Sequence, residues 1–469
     1  MELSFLTITE ALTLLSRREI SAGELTEACL RQIERLNPRL NAFITVASVI
    51  ARREATTLAP AASAGEQSPN LQKDLPLFGI PIALKDLYET AGIRTTAGSK
   101  FFADYIPAED AFVVQKLKAA GAVLVGKTNM HEIALGVTGV NPHYGVCRNP
   151  WNLARITGGS SSGSAAALAA GMCLGALGTD TGGSIRIPAS LCGVVGLKPT
   201  CGRVSLRGVI PLSWNLDHAG PMARTVRDAA LILQAIAGYD PLDPASADVP
   251  VDDYLVQLDN GIKGWRVALV AGEYVEASDA EVMVALGEAA EVFRHLGASV
   301  EKVEMNWSRE AALANGQMTQ ADAAAYHRER LSQHPDWFGA DVLQRLRNGA
   351  ALTSTEYALA RHTQAEMRRH CEQLFEKFDV LLLPTTPIPA PPIEGTQAVE
   401  AARQLTRFTA PFNLTGLPAL SLLCGFTSTG LPNGLQIVSG PWMEAKVLQA
   451  GYSYEQATQW HLRRASLDT

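Results

Sequence analysis

Two glycine- and serine-rich stretches hold the residue types that could do chemistry in this 469-residue chain. Gly158-Gly159-Ser160-Ser161-Ser162-Gly163-Ser164 and Gly178-Thr179-Asp180-Thr181-Gly182-Gly183-Ser184-Ile185-Arg186 bracket an Ala-rich run, Ala165 to Ala170. That run reads as a buried helix. Glycines 182 and 183 carry no Cβ, so consecutive backbone N–H groups there are free to face one concavity. The hydroxyl of Ser184 follows directly. A nucleophile beside a nest of donors is what acyl transfer needs, because the oxygen that attacks and the groups that hold the oxyanion must be neighbours. The chemistry implied is cleavage of an acyl bond.

A serine hydroxyl needs a base. His131, His143 and His218 are the histidines nearest these loops in sequence. None has a distinctive setting, and a hydrogen-bonded structural histidine is the commoner outcome. Lys85 fits better. It ends the apolar, strand-like run Gly79-Ile80-Pro81-Ile82-Ala83-Leu84 and precedes Asp86, an unusual place for a surface cation. To act as a base the amine must be neutral, so its pKa has to fall from ~10.4 toward ~7–8. Three units correspond to about 4 kcal/mol, within reach of desolvation and hydrogen bonds to neutral hydroxyls.

With these residues in view the chain resembles the amidase signature family of Ser-cisSer-Lys amide hydrolases. The likeness extends to Gly126-Lys127-Thr128-Asn129-Met130, to Cys192 through Thr200, to Leu216 through Val226, to Pro411 through Pro418 and to Gly434-Leu435-Gln436-Ile437. It covers most of residues 70–440. It implies Ser184 as nucleophile, Ser160 as bridging serine on a cis peptide after Gly159, and Lys85 as terminal base. It also implies an oxyanion hole from the backbone N–H groups of Thr181, Gly182, Gly183 and Ser184. Gly159 and Met130 are expected at the substrate, with core packing the other reading for Met130. No cofactor and no metal are implied.

Two further motifs are read as coincidences. Gly159-Ser160-Ser161-Ser162-Gly163 matches the G-x-S-x-G elbow of α/β-hydrolases, which would make Ser161 the nucleophile, but no acid and histidine pair downstream completes it. Gly121-Ala122-Val123-Leu124-Val125-Gly126-Lys127-Thr128 matches a phosphate-binding loop in letters only. Its middle residues are apolar and β-forming, so they read as the strand itself rather than a loop with free N–H groups.

Around these motifs the elements follow from pattern. Ser21-Ala22-Gly23-Glu24 is a capping box for a helix whose face carries Leu25, Cys29, Ile33 and Leu36, with Asn37-Pro38 expected to stop it. Residues 58–76 read as a polar loop. Strand-like runs at Ile80–Leu84, Ala122–Val125, Val194–Leu197, Val267–Val270 and Val380–Leu383 alternate with helices, which argues for an α/β layered fold. The resemblance sharpens this to one α/β/α domain over 1–469, a large mixed β-sheet covered by helices on both sides. Within it we expect an N-terminal helical segment over 1–60, a catalytic core over about 75–230 and a mostly helical, substrate-shaping region over about 240–375. There Gln317, Met318 or Asp322 either faces a pocket or belongs to an ordinary core helix. The Pro384–Pro392 stretch either frames a pocket or connects elements. Asp180 and Arg186 are expected to pair and stiffen the loop, and Lys198 to stabilise rather than act as a second base.

Composition is that of a well-filled globular enzyme, 47% hydrophobic and 19% charged, with net charge −7. That charge and the lack of basic runs argue against a nucleic-acid partner. Seven scattered cysteines without C-x-x-C spacing suggest reduced thiols. The N-terminus lacks a secretory pattern and no apolar run reaches 18 residues, so a cytoplasmic protein off the membrane is expected. Homodimerisation is common among relatives of this kind. The function expected is hydrolysis of small or aryl carboxamides, extending to carbamates. The alternative is a glutaminase A-type subunit of a tRNA-dependent amidotransferase. Such subunits carry an acidic residue just before Phe-Thr-x-Pro to engage glutamine's ammonium, where this chain has Thr406-Arg407 before Phe408-Thr409-Ala410-Pro411. A catalytically silent or nucleotide-binding protein would need the motif serines to be ornamental.

Overall fold

The computed structural model describes residues 2–63, 75–394 and 402–467. Its strands in chain order are β1 (Phe43–Val46), β2 (Pro81–Lys85), β3 (Val123–Thr128), β4 (Arg148–Asn149), β5 (Asn152–Ile156), β6 (Gly175–Thr179) and β7 (Val195–Lys198). There follow β8 (Ala219–Ala223), β9 (Arg266–Ala271), β10 (Ser299–Glu304), β11 (Val380–Pro384), β12 (Ala419–Phe426) and β13 (Pro432–Val438). Strands β4 and β5 form a separate two-stranded sheet. The others form one mixed sheet of 11 strands, ordered β1-β3-β2-β6-β8-β7-β12-β13-β11-β9-β10. All five strand-like runs lie in it. Every residue of β2, β3, β6, β7 and β8 is buried, because helices cover both faces of this central part of the sheet, where β2 pairs parallel with β3 and β6 and β8 pairs antiparallel with β6 and β7.

The pairing places the chemistry. Strand β2 runs parallel to both β3 and β6, with Leu84 opposite Leu177 and Lys85 opposite Thr128. Parallel neighbours end at the same edge of a sheet, and ligands sit beyond the carboxyl ends of such strands. Lys85 and Thr179, each the last residue of its strand, are therefore brought side by side. The helix Ser162–Ala169 is buried at every position. Its small residues permit this: a Cβ on Gly163 would stand 2.1 Å from the carbonyl oxygen of Ala42.

Two local expectations need correction. The helix Ala22–Leu40 has its capping box at Ser21 and Glu24 but passes through Pro38, ending at Asn41 in the left-handed conformation (φ 53°). Pro38 lies in the last turn, and burial of Leu36 and Leu40 outweighs its one missing N–H. The loop expected over 58–76 is helical at its start, since the helix Ser48–Ser63 runs into it; residues 64–74 lie outside the described residues. The stretch 240–375 is mainly helical, with Ala280–His295, Ser308–Tyr326, Ala340–Ala351 and Ser354–Phe375, and supplies β9, over the run Val267–Val270, and β10 at one sheet edge.

The phosphate-loop lettering resolves as strand. Val123 through Thr128 is β3, and the buried Lys127 amine donates to the Tyr88 carbonyl at 2.5 Å and to Thr95 Oγ1 at 2.6 Å. All seven cysteines are free thiols, and burial pushes Cys29, Cys147, Cys371 and Cys424 up to about 12. Among the described residues no helix is long and apolar enough to cross a membrane, and no cluster of three or more His, Cys, Asp or Glu is placed to hold a metal ion.

Candidate active site

Lys85 has no exposed surface. Its amine lies 2.7 Å from Ser160 Oγ, 2.7 Å from Thr179 Oγ1 and 3.3 Å from the Thr179 carbonyl oxygen. A neutral amine has two hydrogens and one lone pair. As an ammonium Lys85 donates to all three neighbours; in the neutral form two hydrogens remain for Thr179 and the lone pair is free to accept from the Ser160 hydroxyl. Burial pushes the ammonium down to about 7; the carboxylates of Asp217 and Asp180 pull the other way without reversing it. Burial thus weakens the preference for the charged form near neutral pH.

The serine loops meet at the end of that strand pair. The Gly159–Ser160 peptide bond is cis, as the family likeness implied. Ser161 N–H donates to the Ser184 carbonyl at 3.1 Å, joining the loops. Ser161, Ser162 and Ser164 anchor their helix, donating to the carbonyls of Thr179, Asn129 and Leu177 at 3.2, 3.1 and 3.0 Å. Ser161 is thus occupied as a structural donor. Ser184 keeps 5% of its surface exposed, while Ser160 has none. Among the described residues the Ser184 hydroxyl has no hydrogen-bonding partner.

Asp180 organises the second loop. Its carboxylate meets the Arg186 guanidinium at 2.9 and 3.0 Å, and accepts from the N–H groups of Gly183 at 2.7 Å and Ile185 at 3.0 Å. Burial alone would raise this acid, yet Arg186 holds it well below the usual carboxylate range. Asn413 adds a donor to the carboxylate at 2.8 Å, and Gln436 accepts from Arg186 at 2.6 Å. The expected pairing of Asp180 with Arg186 is present. It also modifies the oxyanion-hole expectation, because Gly183's N–H is committed to Asp180. Thr181, Gly182 and Ser184 are the remaining donors of that set, with no acceptor among the described residues.

Other anticipated residues lie as follows. Met130 has no exposed surface, belongs to the main core and packs toward Gly98. Gly159 is buried, and a Cβ there would meet the backbone of Gly139 at 3.1 Å and Val137 at 3.3 Å. It is pressed against the 137–139 loop. Lys198, pushed down to about 7 mainly by burial, donates to the carbonyls of Pro199 and Leu417. His131 is bound to Asp341 and His143 to Glu132, each at 3.0 Å, and His218 bonds the Leu216 carbonyl at 2.7 Å. Met318 and Asp322 sit on the buried side of their helix, with Asp322 bound to Ser213, Asn215 and Tyr357.

Sequence reading missed Asn315, Thr409, Asn413 and Asp217. Asn315 donates to the Thr181 carbonyl at 3.1 Å and Thr409 to the Gly182 carbonyl at 2.6 Å. Asp217 accepts from Thr181 Oγ1 at 2.5 Å and from the N–H of Leu212 and Ser213; burial raises its carboxyl to about 6 against these bonds. The one available signal was polarity: Asn315 interrupts the apolar helical face formed by Ala311, Ala314 and Met318.

This constellation on this sheet belongs to a family. The amidase family model matches residues 24–448, and the chain belongs to the amidase signature family. It is an enzyme acting on amide C–N bonds. It is 40% identical over 494 aligned residues, all of both chains, to the A-type subunit of glutamyl-tRNA(Gln) amidotransferase from Geobacter sp. strain M21. Among solved structures it resembles the corresponding amidotransferase subunit of Thermotoga maritima at 34% identity and a TM-score of 0.82, covering 97% of this chain and 95% of that one. It also resembles, at 34% identity and a TM-score of 0.91, a structure described as a vestigial protein complex that reveals the evolutionary origins of an s-triazine catabolic enzyme; coverage is 98% and 100%. The exclusion of nucleic acid drawn from net charge does not stand, since full-length relatives are named for a tRNA amidotransferase. Net charge averages a whole surface and is silent on what an assembled complex contacts.

Proposed function

We propose that Ser184 is the nucleophile of an amide hydrolase, with Ser160 as relay and neutral Lys85 as base. Ser184 Oγ bonds to the amide carbon as its proton passes to Ser160, whose own proton passes to Lys85. The oxyanion rests on the N–H groups of Thr181, Gly182 and Ser184. Collapse breaks the C–N bond, the relay returns the proton to the leaving nitrogen, and water repeats the sequence on the acyl-enzyme. The observation that carries this reading is the wholly buried contact of Lys85 Nζ with Ser160 Oγ at 2.7 Å. For the substrate, the full-length relatives support glutamine, with the chain serving as the A-type component of a tRNA-dependent amidotransferase and passing ammonia onward.

One observation favours a second reading, a free-standing amidase on small or aryl carboxamides, carbamates included. Where an acid would engage glutamine's ammonium the chain has Thr406 and Arg407, and the Arg407 guanidinium lies over the rings of Tyr274 and Phe408 at 4.9 and 5.3 Å. Ammonia release from glutamine, measured beside hydrolysis of an acyl-anilide with Ser184→Ala as blank, separates the readings. Glutamine turnover alone supports the amidotransferase role, and anilide turnover alone supports the free-standing enzyme. Equal turnover by Ser184→Ala would remove the mechanism under both.

A further inference from the structure

A peptide unit is planar, with its C=O and N–H pointing in opposite directions. Whatever grips the carbonyl of one residue therefore aims the N–H of the next. The loop after β6 has four such planes in succession, and each carbonyl is held. The Asp180 carbonyl accepts from Asn413 Nδ2 at 2.9 Å and from His218 N–H at 3.1 Å, which aims the Thr181 N–H. The Gly183 carbonyl accepts from Ile187 N–H at 2.7 Å, within the start of the helix Arg186–Cys192, which aims the Ser184 N–H. The Gly182–Gly183 plane is gripped at both ends, its carbonyl by Thr409 and its N–H by Asp180.

The Thr181–Gly182 plane differs. Among the described residues its carbonyl has a single donor, Asn315 Nδ2 at 3.1 Å, and its N–H faces no protein acceptor. Gly182 adds no steric restraint of its own. A Cβ there would meet only Asn315 Oδ1, at 3.2 Å. Without that side chain no hydrogen bond from another described residue holds this carbonyl, and a plane that turns over presents a carbonyl where a donor is needed.

Asn315 is placed firmly. It lies on the helix Ser308–Tyr326, 4% exposed, between Ala311, Ala314 and Met318. Those residues pack with Leu216, Ala360, Met367 and Leu414. Leu216 adjoins Asp217, the acceptor for Thr181 Oγ1, so the helix and the loop share one support.

We propose that Asn315 is a positioning residue for the oxyanion hole, its amide holding the Thr181 carbonyl outward so that the Gly182 N–H faces the oxygen of the carbonyl under attack. The proposal rests on the assignment of Ser184 as nucleophile and of its loop as the oxyanion hole. It gives the helical region between β10 and β11 a part in rate as well as in shape.

The test uses the full chain with Asn315→Ala and Asn315→Asp. The second keeps the volume but replaces the donor by a carboxylate that cannot bond a carbonyl. Steady-state kinetics are measured on glutamine or an acyl-anilide, whichever the wild type turns over, together with inhibition by benzeneboronic acid, which becomes a tetrahedral anion on a serine. Removal of one oxyanion donor lowers kcat by about 10²–10³-fold. We expect a loss of about 10²-fold in kcat with KM changed less than about threefold, and weakening of the boronic acid by a similar factor. The acidic limb of the pH profile stays in place, since the base is untouched. A kcat within about threefold of wild type in the folded variants, or a loss confined to KM, overturns the proposal. Should Asn315→Ala fail to fold by circular dichroism, Asn315→Asp decides. Ser184→Ala run beside them keeps the outcomes distinct: if it retains the rate, the nucleophile assignment falls; if it is dead while Asn315 variants are fast, only this inference falls.

Discussion

The acidic limb of the rate should belong to Lys85. Burial lowers its ammonium from 10.5 to about 7, a displacement that corresponds to about 5 kcal/mol at 1.36 kcal/mol per unit. An ordinary lysine of pKa ~10.4 is neutral in about one molecule in 2,500 at pH 7. Here about half are, so burial enlarges the supply of free base by about 10³-fold. Below pH 7 that supply falls about tenfold per unit. We therefore expect kcat/KM measured from pH 5.5 to 9.5 to rise with unit slope and level off above an apparent pKa near 7. Lys85→Arg keeps a cation and its donors but never becomes neutral, and should lose about 10²–10⁴-fold across the whole range. Folding gives an independent reading. The unfolded lysine holds its proton up to ~10.4 whereas the folded one releases it near 7, so between these values the unfolded state binds more protons. Stability then rises with pH across that window, and the penalty is fully present below it. In urea titrations Lys85→Met should gain more over wild type at pH 6.5 than at pH 9.5. A rate that stays flat down to pH 5.5, or an acidic limb that survives in Lys85→Arg, would refute the neutral-lysine reasoning.

Four further outcomes follow from the same geometry. The Asp217 charge raises the Lys85 pKa, so Asp217→Asn should move the acidic limb to lower pH; movement upward in the measured profile contradicts the assignment. Asp180→Asn leaves the wholly buried Arg186 without its counter-charge and should cost about 3–5 kcal/mol in denaturant unfolding; a loss under about 1 kcal/mol speaks against the pair as the support of the loop. Gly434→Ala places a Cβ 2.3 Å from Ser190 Oγ and 3.0 Å from Ser190 Cα, and overpacking of this kind costs about 1–3 kcal/mol, visible as a lowered thermal midpoint. Buried thiols raised to about 12 at Cys29, Cys147, Cys371 and Cys424 should react with a disulfide reagent at pH 8 only as the chain opens, and fast native labelling at any of these four would show otherwise.

Much of the fold is readable from local pattern. The apolar runs at Ile80–Leu84 and Val380–Leu383 are strands because helices enclose both faces of the sheet and leave no polar face to interrupt them. The false phosphate loop was also legible, since apolar β-forming residues between its glycines had to be buried. Where pattern misled, burial elsewhere prevailed: Pro38 is tolerated in a last turn because Leu36 and Leu40 are fastened below it. The charge of −7 misled for a different reason, being a sum with no address on the surface.

At the site the division is sharper. Gly182, Gly183 and Ser184 stand out in the bare sequence because a hydroxyl and Cβ-free backbone are demanded within a few residues of one another, whereas Lys85 and Ser160, 75 residues apart, stand out each by its own local setting. Arg186 is found the same way, six residues from Asp180. Tertiary structure alone decided which N–H groups are free. Gly183 surrenders its donor to Asp180, and the orientation of its neighbours is set by Asn315, Thr409 and Asn413, which reach the loop from 134, 227 and 233 residues away. One-dimensional spacing cannot show this, because a hydrogen bond reads distance and angle, and only the folded sheet brings those side chains within about 3 Å of a carbonyl.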